Sequence, residues 1–274
     1  MTPFSIRRPE AGAVPLLVSV PHTGTSLTEG LAARFSGETV RALPDTDWHL
    51  DRLYAFVPRL GATLLCARMS RYVIDLNRDP QGRSLYPGRF ETELIPTRTF
   101  DGEPIYRPGE MPGPEERADR LERYYRPYHE ALRRLLDEFV DRFGYALLFD
   151  AHSIRSHVPR LVPEPIPDLI LGDGGGSACP PLIVTAVRSV HEASPYESAY
   201  NAPFRGGYIT RHYGRPGERV AALQLEMAQR LYMEEAPPFR YDAGRAAALQ
   251  PVLEETLRAY VEAGVRWAAS LARH

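Results

Sequence analysis

Tyr145-Ala146-Leu147-Leu148-Phe149-Asp150-Ala151-His152-Ser153 decides the reading of this chain. Gly144 stops a helical pattern in front of it, an apolar run follows, and the run breaks into aspartate and histidine. A short apolar run behind a helix stop reads as a buried strand. The polar residues at the carboxyl end of such a strand are where α/β proteins place their ligands.

The same form recurs on both sides. Pro15-Leu16-Leu17-Val18-Ser19-Val20-Pro21, Ala62-Thr63-Leu64-Leu65-Cys66, Tyr72-Val73-Ile74-Asp75-Leu76 and Asp168-Leu169-Ile170-Leu171-Gly172-Asp173 all read as strands. Between them lie helical patterns. Residues 47–60 carry Trp48, Leu50, Leu53, Tyr54, Phe56 and Val57 at amphipathic spacing. Residues 114–143 turn Leu121, Tyr125, Leu132, Leu135, Leu136 and Phe139 inward. Further helices are expected after Pro181 and over 245–271, and 220–227 fits either a strand or a helix. Residues 80–114, rich in Pro, Gly, Arg and Glu, read as a long loop that serves a function. Strands alternating with helices predict an α/β domain with a mainly parallel sheet, formed by residues 1–274 as one domain.

Composition narrows the function. The chain has 274 residues, 43% of them hydrophobic and 25% charged, which is ordinary for a globular protein. Its 33 basic and 35 acidic residues give a net charge of −2, without the basic excess that a nucleic-acid binder needs. All the basic residues are arginine, which excludes chemistry that needs a lysine amine. No apolar run approaches a membrane span and the N-terminus lacks a signal-peptide core, so a cytoplasmic protein is expected. The two cysteines, Cys66 and Cys179, are too few for a disulfide framework and read as reduced packing residues.

The residues that follow the apolar runs form a consistent set. His22 follows the first, Asp75, Asn77 and Arg78 the third, Asp150 and His152 the run quoted above, and Asp173 the next. Two imidazoles and a carboxylate can hold zinc with a coordination position left open for water. Asp45, Asp47, Asp51, Asp75 and Asp150 all compete for the carboxylate role. Asp45 or Asp47 would serve equally as a helix cap, and Asp150 as an orienting partner of a ligating histidine. The amide and forked guanidinium of Asn77-Arg78 suit a substrate carboxylate. His129, His191 and His274 read as surface residues, and His157 and His212 as hydrogen-bonded loop residues. Gly174-Gly175-Gly176-Ser177 offers backbone N–H groups to an anion, but no lysine follows it.

Several longer motifs carry a resemblance. Val20-Pro21-His22-Thr23-Gly24, Asp45-Thr46-Asp47-Trp48, Ser70-Arg71 through Asp75-Leu76-Asn77-Arg78, Asp150-Ala151-His152-Ser153 and Leu171-Gly172-Asp173 resemble the N-formylglutamate amidohydrolases. So do the stretch from Phe204-Arg205-Gly206-Gly207 to His212-Tyr213-Gly214 and Ala222-Leu223-Gln224-Leu225-Glu226-Met227. The resemblance runs in order over residues 13–235, and the family is distantly similar to zinc carboxypeptidases and aspartoacylases.

It implies a three-layer α/β/α sandwich around a mixed, mainly parallel sheet of the zinc-carboxypeptidase kind. It also implies one Zn2+ ion, with Co2+ or Mn2+ as substitutes, and hydrolysis of N-formyl-L-glutamate to formate and L-glutamate in histidine degradation. The partner is then a small acidic N-acyl amino acid, with neither nucleic acid nor membrane involved. The wider carboxypeptidase pattern has a Glu three residues after its first His, where this chain has Thr25, so the third ligand comes from elsewhere and Asp47 is favoured.

The implied site thus has His22, Asp47 and His152 on the metal, Glu226 as general base and Arg71 at the oxyanion. Asn77 and Arg78 hold one substrate carboxylate, and Arg211, or else Arg205, the other. A deacylase of another N-acyl acidic amino acid, and a catalytically silent binder on the same fold, are the alternatives. An arginase-type site is excluded, because no Asp-x-His-x-Asp cluster occurs.

Overall fold

In the computed structural model, which describes residues 2–9, 11–85, 88 and 91–271, seven strands form one mixed sheet. They are β1 (Phe4–Arg7), β2 (Leu16–Val20), β3 (Thr63–Ala67), β4 (Ala146–Ile154), β5 (Leu169–Gly172), β6 (Ser198–Tyr200) and β7 (Val220–Ala228). Their order across the sheet is β1-β3-β2-β4-β7-β5-β6. The pairs β2–β3, β2–β4, β4–β7 and β5–β6 are parallel, whereas β1 and β5 run antiparallel to β3 and β7. The expected mixed, mainly parallel α/β fold is therefore present.

The helices are α1 (Glu38–Arg41), α2 (Leu50–Leu53), α3 (Pro114–Arg120), α4 (Arg126–Phe143), α5 (Pro181–Ala193), α6 (Tyr208–Tyr213) and α7 (Ala243–Leu271). A wider-wound turn, Leu121–Tyr125, joins α3 to α4. All nine residues of β4 are buried, because helices cover both faces of the sheet. Its alternation splits them: Leu147, Phe149 and Ala151 pack on the face of α5 and α7, and Ala146 and Leu148 on the face of α4. Helix α7 lies so close that a Cβ at Gly264 would stand 2.6 Å from Leu147 Cδ1, so a larger residue there would force the Leu147 side chain to move. Tyr260 of α7 donates its hydroxyl to the carbonyls of Leu148 and Ala221, fastening the helix across β4 and β7.

The structure corrects four expectations. Residues 72–76 are buried but form turns, not a strand. Their backbone groups are satisfied without a ladder: Val73 N–H donates to Ser70 O, Asp75 N–H to Leu94 O, and Arg120 Nη1 to Val73 O at 2.8 Å. Residues 47–60 are not one helix, because the single turn α2 gives way to a 3₁₀ turn, Val57–Leu60, with Pro58 in it.

His129 and His191 are not surface residues. His129 is 9% exposed and stacks on Tyr125, with ring centroids 4.1 Å apart, while His191 is 1% exposed and meets Thr256 Oγ1 at 3.1 Å. Both stand on the inward faces of amphipathic helices. His274 lies outside the described residues. Residues 220–227 resolve as strand, which puts Glu226 inside the sheet, and no described residue between 80 and 113 is in a helix or strand. Cys66 and Cys179 are buried and unpaired, as expected.

Candidate metal centre and active site

The carboxyl ends of β2, β4 and β7 build the site. Chain leaving β2 turns at Pro21 and sets His22 on the sheet edge, where its carbonyl accepts the N–H of Asp47 at 3.1 Å. His152 sits inside β4, whose last residues extend beyond β2. In the parallel ladder Asp150 faces Gln224 and His152 faces Glu226. The ladder thus brings residues more than seventy positions apart to one edge.

His22, Asp47 and His152 meet there, all buried, with potential ligand atoms within 4.8 Å of one another. Asp47 Oδ2 lies 3.1 Å from His152 Nδ1 and 3.8 Å from His22 Nδ1. The opposite ring nitrogens are held from behind: His22 Nε2 stands 2.8 Å from Asp75 Oδ1, and His152 Nε2 3.0 Å from Asp150 Oδ2. This is the arrangement of a histidine ligand, with one nitrogen inward and the other fixed by a carboxylate. The donor set fits a divalent metal ion.

Of the five competing carboxylates, Asp47 joins the histidines. Asp75 and Asp150 stand behind them, Asp51 is exposed, and Asp45 turns away to accept Tyr72 Oη–H at 2.7 Å and Phe100 N–H at 2.9 Å.

Electrostatics follow from this crowding. Burial opposes a charge on His152, yet Asp150 and Asp47 outweigh it and raise its pKa well above the usual value. Burial and then Arg71 lower the pKa of His22. Burial resists ionisation of Asp75 too, but His22 and Arg71 prevail and its pKa falls well below the carboxylate range. Burial pushes Asp45 up to about 6 and Glu226 up to about 8. Glu226 remains partly accessible from the cleft.

Each remaining site candidate has a definite place. Arg71 is 5% exposed, donates to Asp75 Oδ2 at 2.6 Å and to Asp45 O at 3.2 Å, and lies against the Phe100 ring. Arg78 donates to the carbonyls of Asn77 and Thr92 and to Thr92 Oγ1. Asn77 accepts Ile209 N–H at 2.7 Å and brings Nδ2 within 2.9 Å of His152 Nε2. A Cβ on Gly207 would stand 2.2 Å from that Nδ2, which explains the glycine.

These groups line a cleft with a cavity volume of about 120 Å³, whose apolar wall includes Phe100, Leu161, Val162 and Phe204. Arg211 does not line it, and its Nη1 donates to Leu85 O at 2.8 Å. Arg205 is likewise absent from the lining. The glycine turn after Asp173 closes on itself, with Gly176 N–H donating to Asp173 Oδ1 at 2.7 Å. His157 and His212 stand outside the cluster, on Pro163 O and the Tyr208 ring.

Sequence reasoning left the orienting role of Asp75 unassigned and did not single out Gln224. The signal for Asp75 was its place in the Asp75-Leu76-Asn77-Arg78 segment; Gln224 carried none, because 220–227 fits either a strand or a helix in the sequence.

Comparison with known proteins agrees with this geometry. The N-formylglutamate amidohydrolase family profile matches residues 14–233. An N-formylglutamate deformylase of Pseudomonas putida is 46% identical over 254 residues, covering 92% of this chain and 94% of that protein. One from Pseudomonas aeruginosa is also 46% identical, with 92% and 95% covered. A crystal structure of an N-formylglutamate amidohydrolase from Ralstonia eutropha superposes with a TM-score of 0.82 at 32% identity, covering 97% of this chain and 99% of that one. The motifs, the mixed sheet and the cleft at its edge thus have one source: the chain belongs to the N-formylglutamate amidohydrolase family, and it is a hydrolase that acts on an amide.

Proposed function

We propose that this chain hydrolyses N-formyl-L-glutamate to formate and L-glutamate with one zinc ion held by His22, Asp47 and His152, as a step of histidine degradation. The observation that carries this reading is the buried two-histidine, one-aspartate cluster beside Glu226, in a chain 46% identical to N-formylglutamate deformylases. When bound, a divalent ion there polarises a carbonyl oxygen, acidifies water and draws Glu226 back toward its ionised form.

The chain's own groups do the rest. Glu226 takes a proton from the attacking water and returns it to the departing amine nitrogen. Arg71, held on three sides by Asp75, the Asp45 carbonyl and Phe100, has no freedom to follow the substrate and so is preorganised to stabilise the oxyanion. Asp75 and Asp150 fix the outer nitrogens of the two histidines and hold the inner ones toward Asp47. Arg78, with its far side tied to Thr92, presents its guanidinium to a substrate carboxylate, and Asn77 stands beside it. Arg211 donates to the carbonyl of Leu85, which lines the cleft, so we assign Arg211 to holding that wall.

The test is formate release from N-formyl-L-glutamate, measured beside acetate release from N-acetyl-L-glutamate and formate release from N-formyl-L-aspartate. Fast turnover of the first compound alone is expected. Preference for the acetyl compound would keep the hydrolase and change the substrate, and turnover of none would contradict the reading.

A further inference from the structure

On β7, Gln224 and Glu226 are two residues apart and share the face that lines the cleft, while Leu223, Leu225 and Met227 pack into the core on the other. Gln224 is 4% exposed, and a buried carboxamide must answer for four hydrogen-bonding sites. Its Oε1 accepts Gly207 N–H at 2.7 Å. Of the two ends of a carboxamide only the oxygen can accept from a backbone N–H, so this amide is fixed: oxygen to Gly207, nitrogen elsewhere. Nε2 makes no hydrogen bond to any described residue, yet it is not sealed in the core, so the donor end opens to the cleft.

The position is defined on both sides. Gly207 is pressed against Asn77, and Asn77 against His152, so the loop that holds the Gln224 oxygen also touches the metal centre. In the sheet Gln224 lies between Asp150 of β4 and Gly172 of β5, two register positions before Glu226. A neutral donor there, with Arg78 lining the same cleft, answers an anion that an acidic side chain would repel.

We propose that Gln224 is a substrate-binding residue whose Nε2 donates to a carboxylate of the bound amino acid, which rests on the acidic substrate proposed above. It supplies the second carboxylate contact for which Arg211 is not placed.

Gln224→Glu separates this role from a structural one. Glutamate still accepts Gly207 N–H but replaces the donor with a negative oxygen. Its KM for N-formyl-L-glutamate should rise at least about tenfold, with a smaller fall in kcat, the mark of lost substrate binding. Binding of L-glutamate by calorimetry should weaken in parallel. N-formyl-L-norvaline, which lacks the side-chain carboxylate, identifies the partner: a penalty that vanishes points to the side-chain carboxylate and one that persists to the α-carboxylate.

A Gln224→Glu enzyme with unchanged KM and unchanged L-glutamate binding would overturn the proposal. So would a defect seen only in Gln224→Met, which loses the bond to Gly207 as well. Should the glutamate variant fail to fold, an unchanged KM in Gln224→Met overturns it. Wild-type turnover is recorded first. Its absence counts against the substrate, whereas wild-type turnover with an unchanged variant counts against Gln224 alone.

Discussion

Four of the described histidines are buried, and they fall into two pairs. His129 and His191 sit on helices that flank the sheet, with neutral partners: Leu76 O and Tyr213 Oη for the first, Thr256 Oγ1 for the second. Burial lowers both: alone it takes His191 to about 4, and with smaller help from His212 and Arg133 it takes His129 to about 3. His22 and His152 sit at the carboxyl edge of the sheet, each with a carboxylate behind one nitrogen and Asp47 in front of the other. Burial is common to both pairs and so says nothing about ligation. The difference lies in the partners: those of the flanking pair are neutral and not shared, whereas both members of the edge pair aim a nitrogen at the same aspartate.

The contrast can be broken experimentally. The largest effect is expected from His152→Ala or His22→Ala, which should lower zinc retention below about a tenth of wild type and abolish turnover, while His191→Ala keeps both. Equal zinc loss in all three, by elemental analysis of the purified proteins, would erase the distinction between the pairs. Glu226→Gln should cost about 10²–10⁴-fold in kcat with zinc content intact. Turnover near wild type in that variant would remove the general base.

Asp75→Asn should weaken zinc affinity by about 10–100-fold in a competition titration, because the carboxylate behind His22 sets the tautomer and aim of its inner nitrogen. Unchanged affinity would show that Asp75 serves Arg71 alone.

The smallest effect belongs to the flanking pair and appears in stability. A histidine lowered to about 4 stays neutral in the fold, while the unfolded chain takes up a proton near pH 6.5. Its contribution is therefore complete above pH 6.5 and is lost as pH falls toward 4. The slope is about 1.4 kcal/mol per pH unit for one group. Urea denaturation of the wild type between pH 6.5 and 4.5 should fall more steeply than that of His191→Leu by about that amount. Parallel curves would mean that His191 is not held neutral.

Much of this was legible in the sequence, for identifiable reasons. His22 and His152 lie at the ends of apolar runs, and parallel strands deliver the residues at their carboxyl ends to one edge, so their meeting follows from topology. Asp47 lies in a loop, and only the family resemblance singled it out from the competing carboxylates. Residues 72–76 misled because apolar content reports burial, not pairing, and here loop carbonyls and Arg120 take the place of a neighbouring strand. His129 was misplaced by the charge of its helix, and His191 was read as a surface residue without regard to its helical face. Spacing held the correction, since Tyr125, His129, Leu132 and Leu136 share one helical face, as do Ile183, Val187 and His191. Gln224 was not legible, because a polar residue on a buried strand shows no function until the bond from Gly207 reveals which of its ends is left over.

The central claim is that the edge pair and Asp47 form one metal centre on which amide hydrolysis depends. Its most direct test is to strip the enzyme with a chelator and titrate zinc back while following formate release from N-formyl-L-glutamate. Loss of turnover on stripping and its linear return, complete at one zinc per chain, is the predicted result. Full turnover in protein shown by elemental analysis to be metal-free, or a return that needs two ions per chain, would contradict it.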